Sequence, residues 1–198
     1  MGFVMKLILA SASPRRRELL SMAGFDFEVV PADVDEEADP ALSPDQLVAF
    51  LSEKKALHIF NSFVGQDAII VGADTVVAID GLILGKPSNS AAAFDMLSRL
   101  QGRQHKVFTG VSLISCKERT AKGTAKTKTF VESTKVFMRS LSSNEIQDYI
   151  ATGEPLDKAG SYGIQERGAL LIERLEGDYF TVVGLPLCRF NLALQEFL

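Results

Sequence analysis

The fold of this chain is decided by one stretch, AIIVGADTVVA at residues 68–78. It is apolar and rich in β-branched residues, which predicts a buried strand. Asp74 lies inside that strand, and taking an ionised carboxylate out of water is costly unless the charge is paired. A strand that keeps such an acid needs a reason, so Asp74 is the first candidate functional residue.

An anion site is predicted near the N-terminus, in the sequence LILASASPRRR at residues 7–17. A strand is followed by a helix that Ser13 caps and Pro14 begins. Unpaired backbone N–H groups at a helix start favour an anion, and Arg15 and Arg16 can add bidentate contacts to phosphate oxygens. Salt bridges to acids such as Glu18 or Glu53 are the structural alternative. An acid together with an anion site suggests hydrolysis of a phosphate ester or anhydride.

The composition is that of an ordinary soluble globular protein. The chain has 198 residues, is 46% hydrophobic and has a net charge of −4, which argues against a general nucleic-acid coat. Two cysteines outside any C-x-x-C pair, and two histidines, argue against Cys/His zinc chemistry. No apolar stretch approaches the ~20 residues of a membrane helix, and no signal peptide is evident, so we expect a cytoplasmic protein without a membrane partner.

Strands and helices alternate along the chain. Strands are predicted at residues 6–10, 27–30, 69–79, 82–84, 106–115 and 129–138, and helices at residues 14–23, 45–60, 90–101, 143–152 and from about 186. A further strand region with a turn is predicted at residues 169–183, and a solvated hairpin loop or partner-binding surface at the basic residues 117–128. Because hairpins accompany the alternation, we expect an α/β fold with a mixed sheet and flanking helices. No linker is evident, so residues 1–198 are expected to form a single domain.

Two further segments carry polar residues suited to a nucleotide. GLILGKP at residues 81–87 lacks the spacing of a phosphate-binding P-loop, but Lys86 follows a strand and can project into a cleft. GEPLDKAGSYGIQ at residues 153–165 is rich in glycine, which lets a backbone approach a ligand closely. Its Gln165 can read a base edge with one donor and one acceptor. A purely structural role for this loop remains the alternative.

Taken together, these segments resemble the Maf family of nucleoside triphosphate pyrophosphatases. The resemblance spans nearly the whole chain, and the motifs occur in the order of the family. They are SASPRR at residues 11–16, GADT at 72–75, GKP at 85–87, FTGV at 108–111, DKAGSYGIQ at 157–165 and VGLPL at 183–187.

The resemblance implies a fold and a reaction. The fold would have two lobes around a central cleft, similar to that of the inosine triphosphate pyrophosphatases. The reaction would cleave a nucleoside triphosphate to the monophosphate and pyrophosphate with a divalent cation, Mg²⁺ or Mn²⁺. Asp74 matches the proton acceptor of the family, and the matching polar positions of the cleft are Ser11, Arg15, Glu36, Lys55 and Lys86. Glu36 and Asp74 are the expected metal ligands, with Asp157 as a further candidate.

The branch of the family that this sequence resembles acts on dTTP and UTP. Arg15, Thr75 and Gln165 match that branch, and a neutral amide suits a pyrimidine imide, which offers both N–H and C=O. Lys54, and Glu166 with Arg167, depart from the pattern of the family. The alternatives are a pyrophosphatase for non-standard or methylated purine nucleotides, or a nucleotide-binding regulator of cell division. A homodimer is compatible with the resemblance, and no nucleic-acid partner is expected.

Overall fold

The computed structural model of this chain describes residues 5–119 and 125–198. Its strands are β1 (Lys6–Leu9), β2 (Phe27–Val29), β3 (Ala68–Ile79), β4 (Leu82–Leu84), β5 (Gln104–Arg119), β6 (Ala125–Met138) and β7 (Ile172–Glu176). Its α-helices are α1 (Pro14–Met22), α2 (Pro44–Phe60), α3 (Ser90–Leu100), α4 (Ser143–Ala151), α5 (Tyr179–Val183) and α6 (Leu187–Gln195). Short 3-10 helices occupy Glu154–Asp157, Ala159–Ser161 and Glu166–Leu171.

The strands form one mixed sheet. Its order is β2-β1-β3-β5-β6-β7, and β4 pairs with β3 outside this path. β1 is parallel to both β2 and β3, whereas β3 with β4 and β6 with β7 form antiparallel pairs. The predicted α/β fold, a mixed sheet with flanking helices, is therefore confirmed. The central cleft and the single domain remain predictions.

The chain folds into two compact units, each with its own apolar core. Unit 1 comprises Met1–Asp74, Thr109–Glu132 and Gly184–Leu198, and unit 2 comprises Thr75–Phe108 and Ser133–Val183. The core of unit 1 includes Ile8, Ala56, Ile70 and Ile114. The core of unit 2 includes Val77, Leu97, Val136, Tyr149 and Tyr162.

The helix starts follow the local signals in the sequence. Ser13 and Ser43 lie at the N-caps of α1 and α2, each directly before a proline at the first helical position. Ser142 and Glu145 form a capping box at the start of α4, in which each side chain accepts a backbone N–H of the other residue. Within the described residues, no helix has the length and apolar character that a membrane span requires.

The predicted strand at residues 169–183 is wrong at both ends. Only Ile172–Glu176 is a strand, since a 3-10 helix precedes it and α5 follows it. Gly177 has φ +131°, which ends the strand. Asp178 Oδ2 then accepts the backbone N–H of Thr181 at 2.6 Å and its hydroxyl at 2.8 Å. This cap starts a helical turn despite the β-branched sequence after it.

The predicted hairpin loop at residues 117–128 is too long. β5 continues to Arg119 and β6 begins at Ala125, so both flanks of the basic segment are strand. The ammonium groups of Lys126 and Lys128 bond the backbone carbonyl and the carboxylate of Glu196, respectively. These bonds hold part of the basic segment against the end of the chain. The remainder of the predicted loop, residues 120–124, lies outside the described residues.

Candidate active site

Close packing of α2 on β3 places Lys55 beside Asp74. A Cβ atom at Gly72 would lie 2.1 Å from the carbonyl oxygen of Ser52 and 2.8 Å from the backbone nitrogen of Ala56. Only glycine therefore allows the helix to approach the strand this closely. Gly72 and Asp74 are two residues apart on β3, so they face the same side of the sheet. The glycine in the GADT motif thus permits the helix to lie this near the acid.

Three charged side chains meet at the Lys55 ammonium group. The Lys55 Nζ lies 2.5 Å from the Asp74 Oδ1 and 2.7 Å from the Glu36 Oε1. The Lys55 and Asp74 side chains are 11% and 10% exposed, whereas Glu36, in the acidic loop before α2, is 58% exposed. One ammonium group therefore joins a buried carboxylate to one that solvent reaches. Three of the predicted site residues are brought together by these contacts.

The electrostatics of Asp74 suit a group that accepts a proton. Burial raises the pKa of its carboxyl group above the ordinary value, and the Glu36 charge acts in the same direction. The Lys55 ammonium and the Arg16 guanidinium oppose this shift of the pKa. A buried carboxylate with a raised pKa is a stronger base than a free one, which is useful for taking a proton from water.

Arg16 is the buried cation of the first helix. Its Nη1 donates to the Ser11 Oγ at 3.0 Å, and its Nε donates to the carbonyl oxygen of Gly184 at 2.9 Å. Burial lowers the pKa of its guanidinium, while the charges of Asp74 and Glu36 raise it. Arg16 therefore lies within electrostatic reach of both carboxylates.

The resemblance to the Maf family selects Arg15, and not Arg16, as the phosphate contact of this helix. Arg15 is half-buried, and its contact with phosphate remains a prediction. A signal for Arg16 is present in the sequence: Leu19 and Leu20 follow it by three and four residues and are both buried. Residues at that spacing share a helix face, so Arg16 is the arginine that α1 turns inward.

Ser11 is placed by the sheet. Strand β1 pairs in parallel with β3, and the Ala10 backbone N–H extends that pairing with a bond of 2.8 Å to the Val71 carbonyl. Ser11 follows directly and is buried. Its hydroxyl oxygen accepts the backbone N–H of Ser13 at 3.3 Å as well as the Arg16 bond. The loop before α1 is thus held by the sheet pairing at Ala10 and by the two bonds to the Ser11 hydroxyl oxygen.

Three predicted binding residues belong to unit 2. Thr75 is half-buried on β3, Lys86 is exposed in the loop after β4, and Gln165 is half-buried before the last 3-10 helix. The carbonyl oxygen of Gly85 accepts the backbone N–H of Gly160 at 3.0 Å, which ties the loop of Lys86 to the DKAGSYGIQ segment. The roles of these three residues in binding remain predictions.

The carboxylates of unit 1 fit a hard divalent cation. Asp74 and Glu36 come from separate segments and both contact the Lys55 nitrogen, so the two carboxylates face one positive centre. Magnesium is commonly held by one or two carboxylates, with substrate phosphates and water completing its shell. Among residues 5–119 and 125–198, no group of three or more His, Cys, Asp or Glu side chains is gathered for a metal. Asp157 belongs to unit 2, where its Oδ1 accepts a bond from the Lys158 ammonium at 2.9 Å.

A basic carboxylate, a second acid and two cations define a site for chemistry on an anionic substrate. The sequence comparisons agree with this class. The family described as Maf-like protein matches residues 6–197, and the chain belongs to the Maf family.

Named relatives cover almost the whole chain. A dTTP/UTP pyrophosphatase of Bacillus pumilus is 47% identical over 192 residues, which are 97% of this chain and 96% of the relative. A dTTP/UTP pyrophosphatase of Bacillus cytotoxicus is also 47% identical, over 97% and 95% of the two chains. A solved nucleoside-triphosphatase / dITP/XTP pyrophosphatase of Mycobacterium abscessus is 15% identical over 69% of this chain and 76% of its own, with a TM-score of 0.41.

Proposed function

We propose that this protein hydrolyses dTTP and UTP, and modified pyrimidine nucleotides of the same shape, to the nucleoside monophosphate and pyrophosphate. The observation that carries the proposal is the contact of the Lys55 Nζ with both the Asp74 and the Glu36 carboxylates, at 2.5 and 2.7 Å. This contact brings together a base (Asp74), a second acid (Glu36) and a cation (Lys55). The activity for which the relatives are named, at 47% identity over 97% of this chain, supports the choice of substrate.

The reaction is attack of water on the α-phosphorus. Asp74 activates the water, either by accepting its proton directly or, in the alternative, by holding a metal ion that would lower the pKa of the water. As the water oxygen bonds to phosphorus, the bond from the α-phosphorus to the α–β bridging oxygen breaks. Pyrophosphate leaves with that oxygen. Because burial raises the pKa of Asp74, its carboxylate is matched to this transfer better than an exposed one.

The cations of the site complement the substrate. Lys55 and Arg16 lie beside the carboxylates, and Arg15 and Lys86 are the further cations assigned to the triphosphate. Positive groups that are already fixed when charge moves onto the leaving pyrophosphate lower the barrier to its departure. The bonds from Arg16 to Ser11 and Gly184 hold one of these cations in place before substrate arrives.

A divalent metal is part of the proposal. Asp74 and Glu36 would hold Mg²⁺ or Mn²⁺. The ion would neutralise phosphate charge and lower the pKa of a bound water. Binding of Mn²⁺, followed by EPR in the presence of a non-hydrolysable triphosphate analogue, should weaken in Glu36→Gln. Unchanged Mn²⁺ binding in that variant would remove Glu36 from the metal site.

Base selectivity is assigned to unit 2. Thr75 and Gln165 are the predicted contacts, and an amide that donates and accepts fits the imide edge of thymine and uracil. Adenine and cytosine lack this N–H and C=O pair, which leaves the amide partly unpaired and weakens binding. Guanine and hypoxanthine offer the same pair on a larger ring, so selectivity against them depends on where the amide is held.

The setting of the protein is also proposed. The described cysteines, Cys116 and Cys188, are free, which suits a cytoplasmic, reducing environment. The homodimer rests on the resemblance to the Maf family. Light scattering on the eluting protein should give twice the mass of the 21.5 kDa chain, and a mass of one chain would exclude it.

The test is pyrophosphate release from purified protein across canonical, methylated and deaminated triphosphates. We expect dTTP and UTP to give the highest kcat/KM. Asp74→Asn should fold and lose activity by about 100-fold or more, because a general base contributes on that scale. Asp67→Asn, at the residue preceding the same strand, is the matched control and should retain activity. Wild-type turnover in Asp74→Asn would exclude Asp74 as the proton acceptor. A preference for inosine or 7-methylguanosine triphosphate would exclude dTTP and UTP as the substrates.

A further inference from the structure

Gln165 lies in a short loop whose two ends are held by the same pair of side chains. The hydroxyl oxygen of Tyr149, on α4, accepts the backbone N–H of Gly163 at 3.1 Å. The Glu154 Oε2 accepts the backbone N–H of Arg167 at 3.2 Å, and its Oε1 accepts that of Gly168 at 3.0 Å. The bond at Gly163 lies two residues before Gln165. The bonds at Arg167 and Gly168 lie two and three residues after it.

The two holding side chains are themselves joined. The Tyr149 hydroxyl donates to the Glu154 Oε1 at 2.9 Å, so the three backbone bonds and this one form a closed network. Burial raises the pKa of Tyr149 above its ordinary value, and the Glu154 carboxylate acts in the same direction, which keeps the hydroxyl protonated as a donor. Lys158 adds a further tie, because its Nζ donates to the Glu154 backbone carbonyl at 2.7 Å.

The ends of the loop also touch each other. A Cβ atom at Gly168 would lie 2.0 Å from the Gly163 carbonyl oxygen and 2.8 Å from the Tyr149 hydroxyl. Only glycine fits at this closure. Within the loop, Glu166 has φ +54°, a left-handed conformation that is unfavourable for a residue with a side chain. Contacts at both ends hold the backbone in that conformation, directly beside Gln165.

We propose that Tyr149 and Glu154 are positioning residues that fix the backbone of residues 163–168 and thereby set the pyrimidine selectivity that Gln165 provides. The inference rests on the proposed function. Neither residue needs to touch the nucleotide, because the network acts through the backbone on both sides of the amide. Guanine and hypoxanthine offer the same N–H and C=O pair on a larger ring, so a flexible loop would let the amide shift to meet them, whereas a fixed one penalises the difference in position.

The test compares Tyr149→Phe and Glu154→Gln with the wild type on dTTP, UTP, GTP and inosine triphosphate. Phenylalanine keeps the buried ring and removes the hydroxyl, and glutamine keeps the shape and replaces one acceptor oxygen. The ratio of kcat/KM for dTTP over GTP should fall about tenfold in each variant, the scale of one lost hydrogen bond. The loss should come from KM for the pyrimidine substrates, because a base contact is made in the ground state and the transition state alike.

Glu145→Gln is the matched control. Glu145 also accepts a backbone N–H, that of Ser142 at 2.9 Å, but at the opposite end of α4. This variant should lower the melting temperature and leave the selectivity ratio unchanged. In a Gln165→Ala background, Tyr149→Phe and Glu154→Gln should cause no further change in the ratio, since their effect passes through Gln165.

Different results overturn the two proposals. A wild-type enzyme that prefers purine triphosphates refutes the proposed function and this inference with it. A wild-type enzyme with the pyrimidine preference, whose Tyr149→Phe and Glu154→Gln variants keep the wild-type ratio, overturns the positioning role alone. The positioning role is also overturned if the variants lower the ratio equally with and without Gln165.

Discussion

Replacing His105 with phenylalanine should remove most of the acid sensitivity of folding between pH 6.5 and pH 4. His105 lies on β5 in unit 2 and is 3% exposed. Its Nε2 is 2.6 Å from the Tyr162 hydroxyl, and its Nδ1 has no hydrogen-bond partner within the described part of the chain. Protonating this ring would place a charge in an apolar core, which burial strongly disfavours.

The magnitude follows from the pKa shift. Burial lowers the pKa of His105 from 6.5 to about 4, so between these values the unfolded chain binds more protons than the folded one. Folding stability is therefore fully present above pH 6.5 and is lost as the pH falls towards 4. The loss from this one residue is about 2 kcal/mol at pH 5 and about 3 kcal/mol below pH 4.

The assay is urea denaturation of the wild type, His105→Phe and His58→Gln at pH 8, 6.5 and 5. His58 is the other histidine of the chain and is exposed on α2, so its variant is the surface control. His105→Phe leaves the Tyr162 hydroxyl without its partner and costs stability at pH 8, but the gap to the wild type should narrow by about 2 kcal/mol at pH 5. A gap that stays constant from pH 8 to pH 5 would refute the assignment of this acid sensitivity to His105.

Three further substitutions test the packing and the charges. Lys55→Met should lower the free energy of unfolding by about 3–5 kcal/mol, because the buried Asp74 loses its closest cation. For the same reason the acidic limb of the pH–rate profile should shift to higher pH. Gly72→Ala should cost about 3 kcal/mol, since its Cβ would meet the Ser52 carbonyl oxygen at 2.1 Å and displace α2. Glu166→Gly should stabilise the fold by about 0.5–1 kcal/mol, because its φ of +54° suits glycine. Chemical denaturation measures each change, and pyrophosphate release measures the pH profile.

Each of these substitutions has a control or a contradicting result. Gly85→Ala has open space around the new Cβ and should leave stability nearly unchanged, unlike Gly72→Ala. Glu28→Gly, at the centre of β2 where Glu28 pairs with Ile8, should destabilise the fold where Glu166→Gly stabilises it. An unaltered pH profile in Lys55→Met would mean that the lysine does not control the charge of Asp74.

The sequence could predict what short-range rules determine. A continuous apolar run rich in β-branched residues located β3, and serine followed by proline located the starts of α1 and α2 within a residue or two. It could not predict the two units, because the chain passes between them at residues 74/75, 108/109, 132/133 and 183/184 without any change in composition. Those crossings are set by contacts between residues distant in sequence.

The same distinction applies to the site. Asp74 was predictable because a charge interrupts an apolar strand. Its contact with Lys55 depends on how closely α2 approaches β3, which the glycine at position 72 permits but does not specify. The two bonds of Arg16 span 5 and 168 residues, and the second cannot be inferred from spacing. The helical turn after Asp178 is not predictable from residue preferences, because the β-branched residues after it favour a strand. In the structure the cap by Asp178 starts a helix despite them.

The charges at Asp74 bear on why a metal belongs in the proposal. The formal charges of Asp74 and Glu36 offset those of Lys55 and Arg16, so the two carboxylates reduce the attraction of this cluster for a polyanion. A triphosphate brings several negative charges that would face the two carboxylates, and close like charges repel strongly where water is excluded. A divalent cation held by the carboxylates would offset their charge and leave the cluster positive. The acids that repel the substrate would then hold its counterion. Removing both acids, in Asp74→Asn with Glu36→Gln, should therefore abolish turnover and yet tighten the binding of a non-hydrolysable triphosphate in EDTA. Weaker binding of that analogue without metal would show that the carboxylates do not repel the substrate, and the electrostatic reason for the metal would fail.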